Sequence, residues 1–204
     1  MTFTTWFTLF SIALLGAMSP GPSLAVIIKN TLSGGKLHGI ATAWAHAIGI
    51  IGYACLTVFG LAFILKQNPL VFESISILGA AYLAWLGCKA LTSKGGIADK
   101  LAQGKQQSYY ASMRNGLMIS MLNPKIGLFF IALFSQFLHA DAGFSEKMLT
   151  LITPPLTDGS WYTLVVLVLS RPKVLNKLRE KAQIIDKITG CVLIAIALRI
   201  LFTL

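Results

Sequence analysis

The chain has 204 residues, 55% of them hydrophobic and only 12% charged, about half the charged share of a soluble domain. Its mean hydropathy is +0.74 and its net charge is +10, yet the basic residues gather in short clusters between uncharged runs, as topology signals do. Composition therefore argues against a soluble domain and against a nucleic-acid partner, and points to an all-α, multi-pass protein whose solvent is the lipid bilayer.

Six membrane spans are predicted. The first covers residues 3–28 and holds no charged side chain. It lacks the basic flank of a cleavable leader, so it reads as a span. It is interrupted by Ser19-Pro20-Gly21-Pro22. Proline removes a backbone donor and disfavours helix in the residue before it. Ser19 or Gly21 can cap a new helix there, with Pro22 at its first position. The simpler alternative is a kink made for packing.

The second span, 39–65, carries His46 inside "WAHAIG" and the small residues Ala41, Ala45 and Gly49. The third, 70–91, carries Ala80, Ala84 and Cys88. Such stripes let helices approach closely, within one chain or between copies in a homo-oligomer. A polar linker follows, at about 93–112. The fourth span, 113–138, is broken at Asn123-Pro124-Lys125, where Asn123 can cap a helix opened by Pro124. The fifth, 147–170, contains Pro154, Pro155 and Asp158. The sixth, 187–204, ends near Arg199, placed to snorkel at the outer edge.

Basic residues concentrate in alternate connections. Lys29 and Lys36 follow the first span. Lys94, Lys100, Lys105 and Arg114 follow the third, and Arg171, Lys173, Lys177, Arg179, Lys181 and Lys187 follow the fifth. The second and fourth connections have only Lys66 and Lys147. The odd connections are thus predicted to be cytoplasmic, with both termini periplasmic or extracellular.

Residues 1–92 and 113–204 each hold three spans and form a single transmembrane domain. An odd number of spans inverts the second half relative to the first. Each half opens on an interrupted helix, and each closes on a helix with an early glycine, Gly79 or Gly190. Matching interruptions in two halves are the sequence pointer to a transporter site at mid-bilayer. Free N–H groups and partial positive charge at two helix starts suit a carboxylate.

Lys125 and Asp158 stand near the middle of their spans, where a charge costs about 2.5–3.5 kcal/mol. They either pair, or take opposite ends of a zwitterion, or escape to a surface. His46 is either a proton relay or a packing residue. Trp6, Trp85, Tyr109 and Tyr110 fit an interfacial belt. Cys55, Cys88 and Cys191 fall in three different spans without a shared motif. No metal or cofactor is therefore expected, and a thiol-electron carrier or a metal exporter is the weaker reading.

"MSPGPS", "AHAIG", "ILGAAYLAWLGCKAL" and "GLMISMLNPKIGLFFIALFSQF", in this order and spacing, resemble the LysE/RhtB family of bacterial amino-acid exporters. The chain departs from the family pattern at Ser23, where Asn is usual, and at Ser135, where Pro is usual. The resemblance implies a non-enzymatic secondary transporter of the bacterial inner membrane, exporting amino acids or close derivatives by proton antiport. The residues themselves supply candidate sites for such a cargo: Ser19, Pro20, Gly21, Pro22, Ser23, Asn123, Pro124 and Lys125 at the two helix starts for the carboxylate, and Asp158 and His46 for ammonium binding or proton coupling.

Overall fold

The computed structural model describes residues 1–19, 21–92, 108–137, 142–169 and 172–203. Pro20 and the linker lysines Lys94, Lys100 and Lys105 lie outside the described residues, as do the side chains of Pro124 and Arg199. The described residues form eight helices and no strand: α1 (Phe3–Met18), α2 (Pro22–Gly34), α3 (Lys36–Gln67), α4 (Pro69–Leu91), α5 (Tyr109–Leu122), α6 (Pro124–Ser135), α7 (Phe144–Leu169) and α8 (Pro172–Thr203). Stretches in α3 and α4 are long and apolar enough to cross a bilayer, and the bent pairs α1–α2 and α5–α6 each qualify when taken together.

Local sequence explains the breaks. Ser19 ends α1, its N–H donating to the carbonyls of Leu15 and Gly16. Gly21 is the extended residue before α2, and Pro22 occupies the first turn. The chain bends by 62° across this break. Asn123 ends α5 and caps α6, its side chain accepting from the Lys125 N–H, with a bend of 57°. Of the two proposed caps in the first span, Gly21 takes the role. Asn68 and Ser108 cap α4 and α5 in the same way as Asn123.

Helix boundaries differ from the sequence expectation where charge misleads. Helix α5 starts at Tyr109, inside the stretch assigned to the linker, because Ser108 provides a cap. Helix α8 begins at Pro172, ahead of the predicted 187, since a helix emerging into water needs no apolar run. Helix α7 continues through Pro154 and Pro155. Around them, the hydroxyls of Thr150, Thr153 and Thr157 donate to carbonyls one turn back. Asp158 therefore stays inside, 7% exposed, and the reading that places it at a surface is not met.

Contacts fix the helix directions. Met1 lies against Glu146 and Trp6 donates to Thr153, so α1 and α7 run the same way. His38 meets Ser112, while Gly49 packs on Ser120, so α3 and α5 also run together. Gly39 packs on Val166, whereas His46 meets Asp158, so α3 opposes α7. It follows that α1 and α5 are oppositely directed.

Glycines seat the last helices. A Cβ added to Gly87 would come within 2.8 Å of the Gly190 carbonyl oxygen, and one added to Gly190 within 2.7 Å of the Gly87 oxygen. The crossing is reciprocal, because Ile194 closes over Gly87 as Leu91 closes over Gly190. Gly79, expected to be the counterpart of Gly190, instead packs on Ala132 of α6. Register between α4 and α8 is set by this backbone contact, which sequence spacing alone does not reveal.

Two apolar clusters flank the interior. One gathers Phe129, Phe130, Leu133 and Phe134 of α6 with Leu9, Leu83 and Ile200. The other joins Leu24 and Ile27 of α2 to Ala43, Tyr162 and Val166. Large side chains such as Leu56, Leu78 and Phe202 point outward, the arrangement a lipid solvent favours.

Candidate functional site

The two breaks meet. The Lys125 ammonium donates to Ser19 Oγ at 2.8 Å, and a Cβ on Gly21 would lie 3.4 Å from Lys125 Nζ. Non-helical backbone inside a bilayer is tolerable when it is covered by protein or lines a cavity. Both conditions hold: Ser19, Gly21, Ser23 and Asn123 are all buried, and they line a cavity of about 60 Å³.

Lys125 sits in the first turn of α6, where the helix dipole repels a cation. The structure supplies the offset. Its ammonium reaches the cap residue of α1, where the C-terminal end of that helix carries partial negative charge. The two helix starts also differ. Asn123 already satisfies the Lys125 N–H, and Ile126 N–H donates to the Asn123 carbonyl. Gly21 offers α2 no side-chain cap. Among the described residues, the α2 start thus lacks the side-chain cap that Asn123 gives α6.

Across the cavity, His46 bridges two elements. Its Nδ1 lies 2.8 Å from Asp158 Oδ2, and its Nε2 lies 2.9 Å from Ser23 Oγ. With Asp158 ionised, Nδ1–H is the donor; Nε2 then accepts from the Ser23 hydroxyl, or donates to it once the ring is protonated. His46 is 1% exposed, and Tyr162 stands edge-on to its ring. Of the alternatives for the two intramembrane charges, neither surface escape nor mutual pairing describes them. Asp158 takes His46, and Lys125 takes Ser19.

The cavity brings together Ser19, Gly21, Pro22, Ser23, His46, Asn123, Lys125 and Asp158 from the predicted set. Sequence reasoning did not single out Tyr162, Phe129 or Phe130, which complete its walls. Aromatic residues in an apolar run carry no local signal of such a role. Among the described residues, no group of three His, Cys, Asp or Glu side chains converges as a metal site would require. Trp6, expected in the interfacial belt, directs its indole N–H to Thr153. Trp85 is half-exposed beneath the Lys89 ammonium, 5.0 Å from its ring, a pairing that suits an interface.

A bundle of apolar helices that folds two broken segments and three ionisable side chains around an internal cavity has the build of a membrane translocator. The sequence signature of the LysE type translocator family matches residues 14–203, and the chain belongs to that family. It is 28% identical over 185 residues to the uncharacterized membrane protein YahN of Escherichia coli K12, covering 90% of this chain and 83% of that one. It is 25% identical over 197 residues to the uncharacterized membrane protein YrhP of Bacillus subtilis, covering 92% and 94%. Against the leucine efflux protein of Salmonella typhimurium it is 28% identical over 195 residues, covering 92% and 90%. No solved structure matches the chain.

Proposed function

We infer that the protein exports amino acids or close derivatives from the bacterial cytoplasm in exchange for protons. Membership of a translocator family and the likeness to a leucine efflux protein support the cargo class. The single observation that carries the reading is the meeting of the two helix breaks at Ser19 and Lys125, opposite the His46–Asp158 pair.

The chemistry follows from the two sides of the cavity. A carboxylate fits between Lys125 and the open N–H groups at the α2 start. An ammonium fits Asp158, competing with His46 for the carboxylate. Protonation of Asp158 from outside releases the ammonium, and loss of that proton to the cytoplasm restores the binding state. A 60 Å³ cavity holds a few waters, so a whole amino acid enters only when the helices part.

The architecture we assign is six spans in two inverted three-helix repeats, 1–92 and 113–204, with α1–α2 and α5–α6 as the interrupted members. Opposite directions of α1 and α5 support it. So does spacing: Gly21 and Asn123, each preceding a proline at a helix start, are 102 residues apart, and the crossing glycines Gly87 and Gly190 are 103 apart. The basic connections support an orientation with both termini outside the inner membrane.

Radiolabelled leucine and other amino acids offered to inverted membrane vesicles test the function. Accumulation that requires an acidic lumen is the expected result. Absence of gradient-driven accumulation for every amino acid tried would overturn it.

A further inference from the structure

Below the cavity lies a second polar cluster that neither the cargo chemistry nor the proton path above uses. Asn30 of α2 is 0% exposed. Its Nδ2 donates to Thr42 Oγ1 at 3.0 Å and to the Ser112 carbonyl at 3.5 Å. The Thr42 hydroxyl donates in turn to the His38 and Ser112 carbonyls, and His38 Nδ1 pairs with Ser112 Oγ at 3.0 Å. Helices α2, α3 and α5 are thus tied at the end that carries Lys29, Lys36 and Arg114.

The tie is incomplete. Among the described residues, Asn30 Oδ1 is buried with no hydrogen-bond partner. Leaving such an acceptor dry is unfavourable, and water relieves the loss when the cluster opens.

Helix α2 is a separate element joined to its neighbours by short non-helical breaks. It is flanked by Gly21 at one end and by Gly35 at the other, where φ of 85° lies in the region that favours glycine. Ser23, at its first turn, bonds to His46 Nε2. Asn30, two turns on and on the same face, holds the lower cluster. Between them Ile27 is fully buried and plugs the interval.

We propose that α2 is the cytoplasmic gate of the translocation path, hinged at Gly21 and Gly35, latched by Asn30 to Thr42 and Ser112, and linked to the His46–Asp158 pair through Ser23. A change in the hydrogen bonding of His46 then alters the hold on one end of α2, and breaking the Asn30 latch frees the other end to swing. The proposal rests on the inward orientation of this end of the bundle and on the cavity as the cargo site.

The test uses the full chain with Cys55, Cys88 and Cys191 replaced by Ala, and with Ala17→Cys as a reporter in the cavity wall. Asn30→Cys and Ser112→Cys are bridged after folding by a short bifunctional thiosulfonate, with the reporter first masked by a photolabile thiol group. The probe is a membrane-impermeant maleimide applied from the cytoplasmic face. Bridging is expected to slow labelling of the unmasked reporter about tenfold. A maleimide-capped but unbridged sample of the same variant labels at the faster rate. Equal rates in bridged and unbridged protein overturn the gate. A second pair, Asn30→Cys with Thr42→Cys, repeats the comparison if the first variant does not fold. Labelling needs no cargo, so a gated reporter without amino-acid export upholds the gate and removes the cargo reading. Export that is indifferent to the bridge does the reverse.

Discussion

Lys125 shows how a single side chain depends on two helices. Its own helix repels it, and the end of α1 accepts it through Ser19. Replacing it by Met keeps the shape and removes the charge. A hydrogen bond to a charged group contributes about 1.5–3 kcal/mol, so cargo affinity of Lys125→Met is expected to fall about ten- to a hundredfold, read by equilibrium binding of labelled leucine to purified protein. Asp158→Asn keeps an acceptor for His46 Nδ1 but carries no titratable proton. Because the amide resembles the protonated, ammonium-releasing form, this variant is expected to bind cargo weakly and to lose gradient-driven export, read by labelled-leucine binding and by vesicle uptake. Full gradient-driven export by it would remove Asp158 from the coupling step. The sequence marked Lys125, Asp158, His46 and Ser23 one by one, since polar residues in apolar runs stand out. It did not reveal the bond between His46 and Asp158, because 112 residues separate them. Asn30 went unremarked because it adjoins Lys29, where a polar residue looks like an ordinary span end.

At the level of helices, the breaks were readable and the seating was not. Proline after a capping residue marks a helix start in any environment, so Gly21-Pro22 and Asn123-Pro124 announced themselves. The stripe Ala80, Ala84, Cys88 suggested a packing seam, yet Cys88 is exposed and the close approach runs through Gly87. Which side of α4 meets α8 depends on the whole bundle, and no local pattern encodes it. The glycine crossing gives a direct test. Gly87→Leu must push α8 away, and overpacking of this kind costs about 1–3 kcal/mol. A lower melting temperature in detergent is the expected readout. Gly60→Ala, where nothing lies within 4 Å of the added carbon, should leave that temperature unchanged or raise it.

For the molecule as a whole, hydropathy and charge indicated the class of protein, and the structure added the relative directions of its helices. Four helix directions, each fixed by a named contact, agree with the alternation that the basic clusters predict. Fluorescent-protein fusions check the orientation: a fusion after Thr92 is expected to fluoresce in the cytoplasm, and one after Leu204 to be dark on the far side. The reverse pattern would place the gate at α2 on the outer face.

The reciprocal seat of Gly87 and Gly190 reaches beyond packing. Each notch is filled by main chain from the opposite half, so neither half can complete its own surface alone, and each carries the missing piece of the other. Fragments ending at Thr92 and beginning at Ser108, produced together in one cell, should find each other in the bilayer and copurify as a working pair.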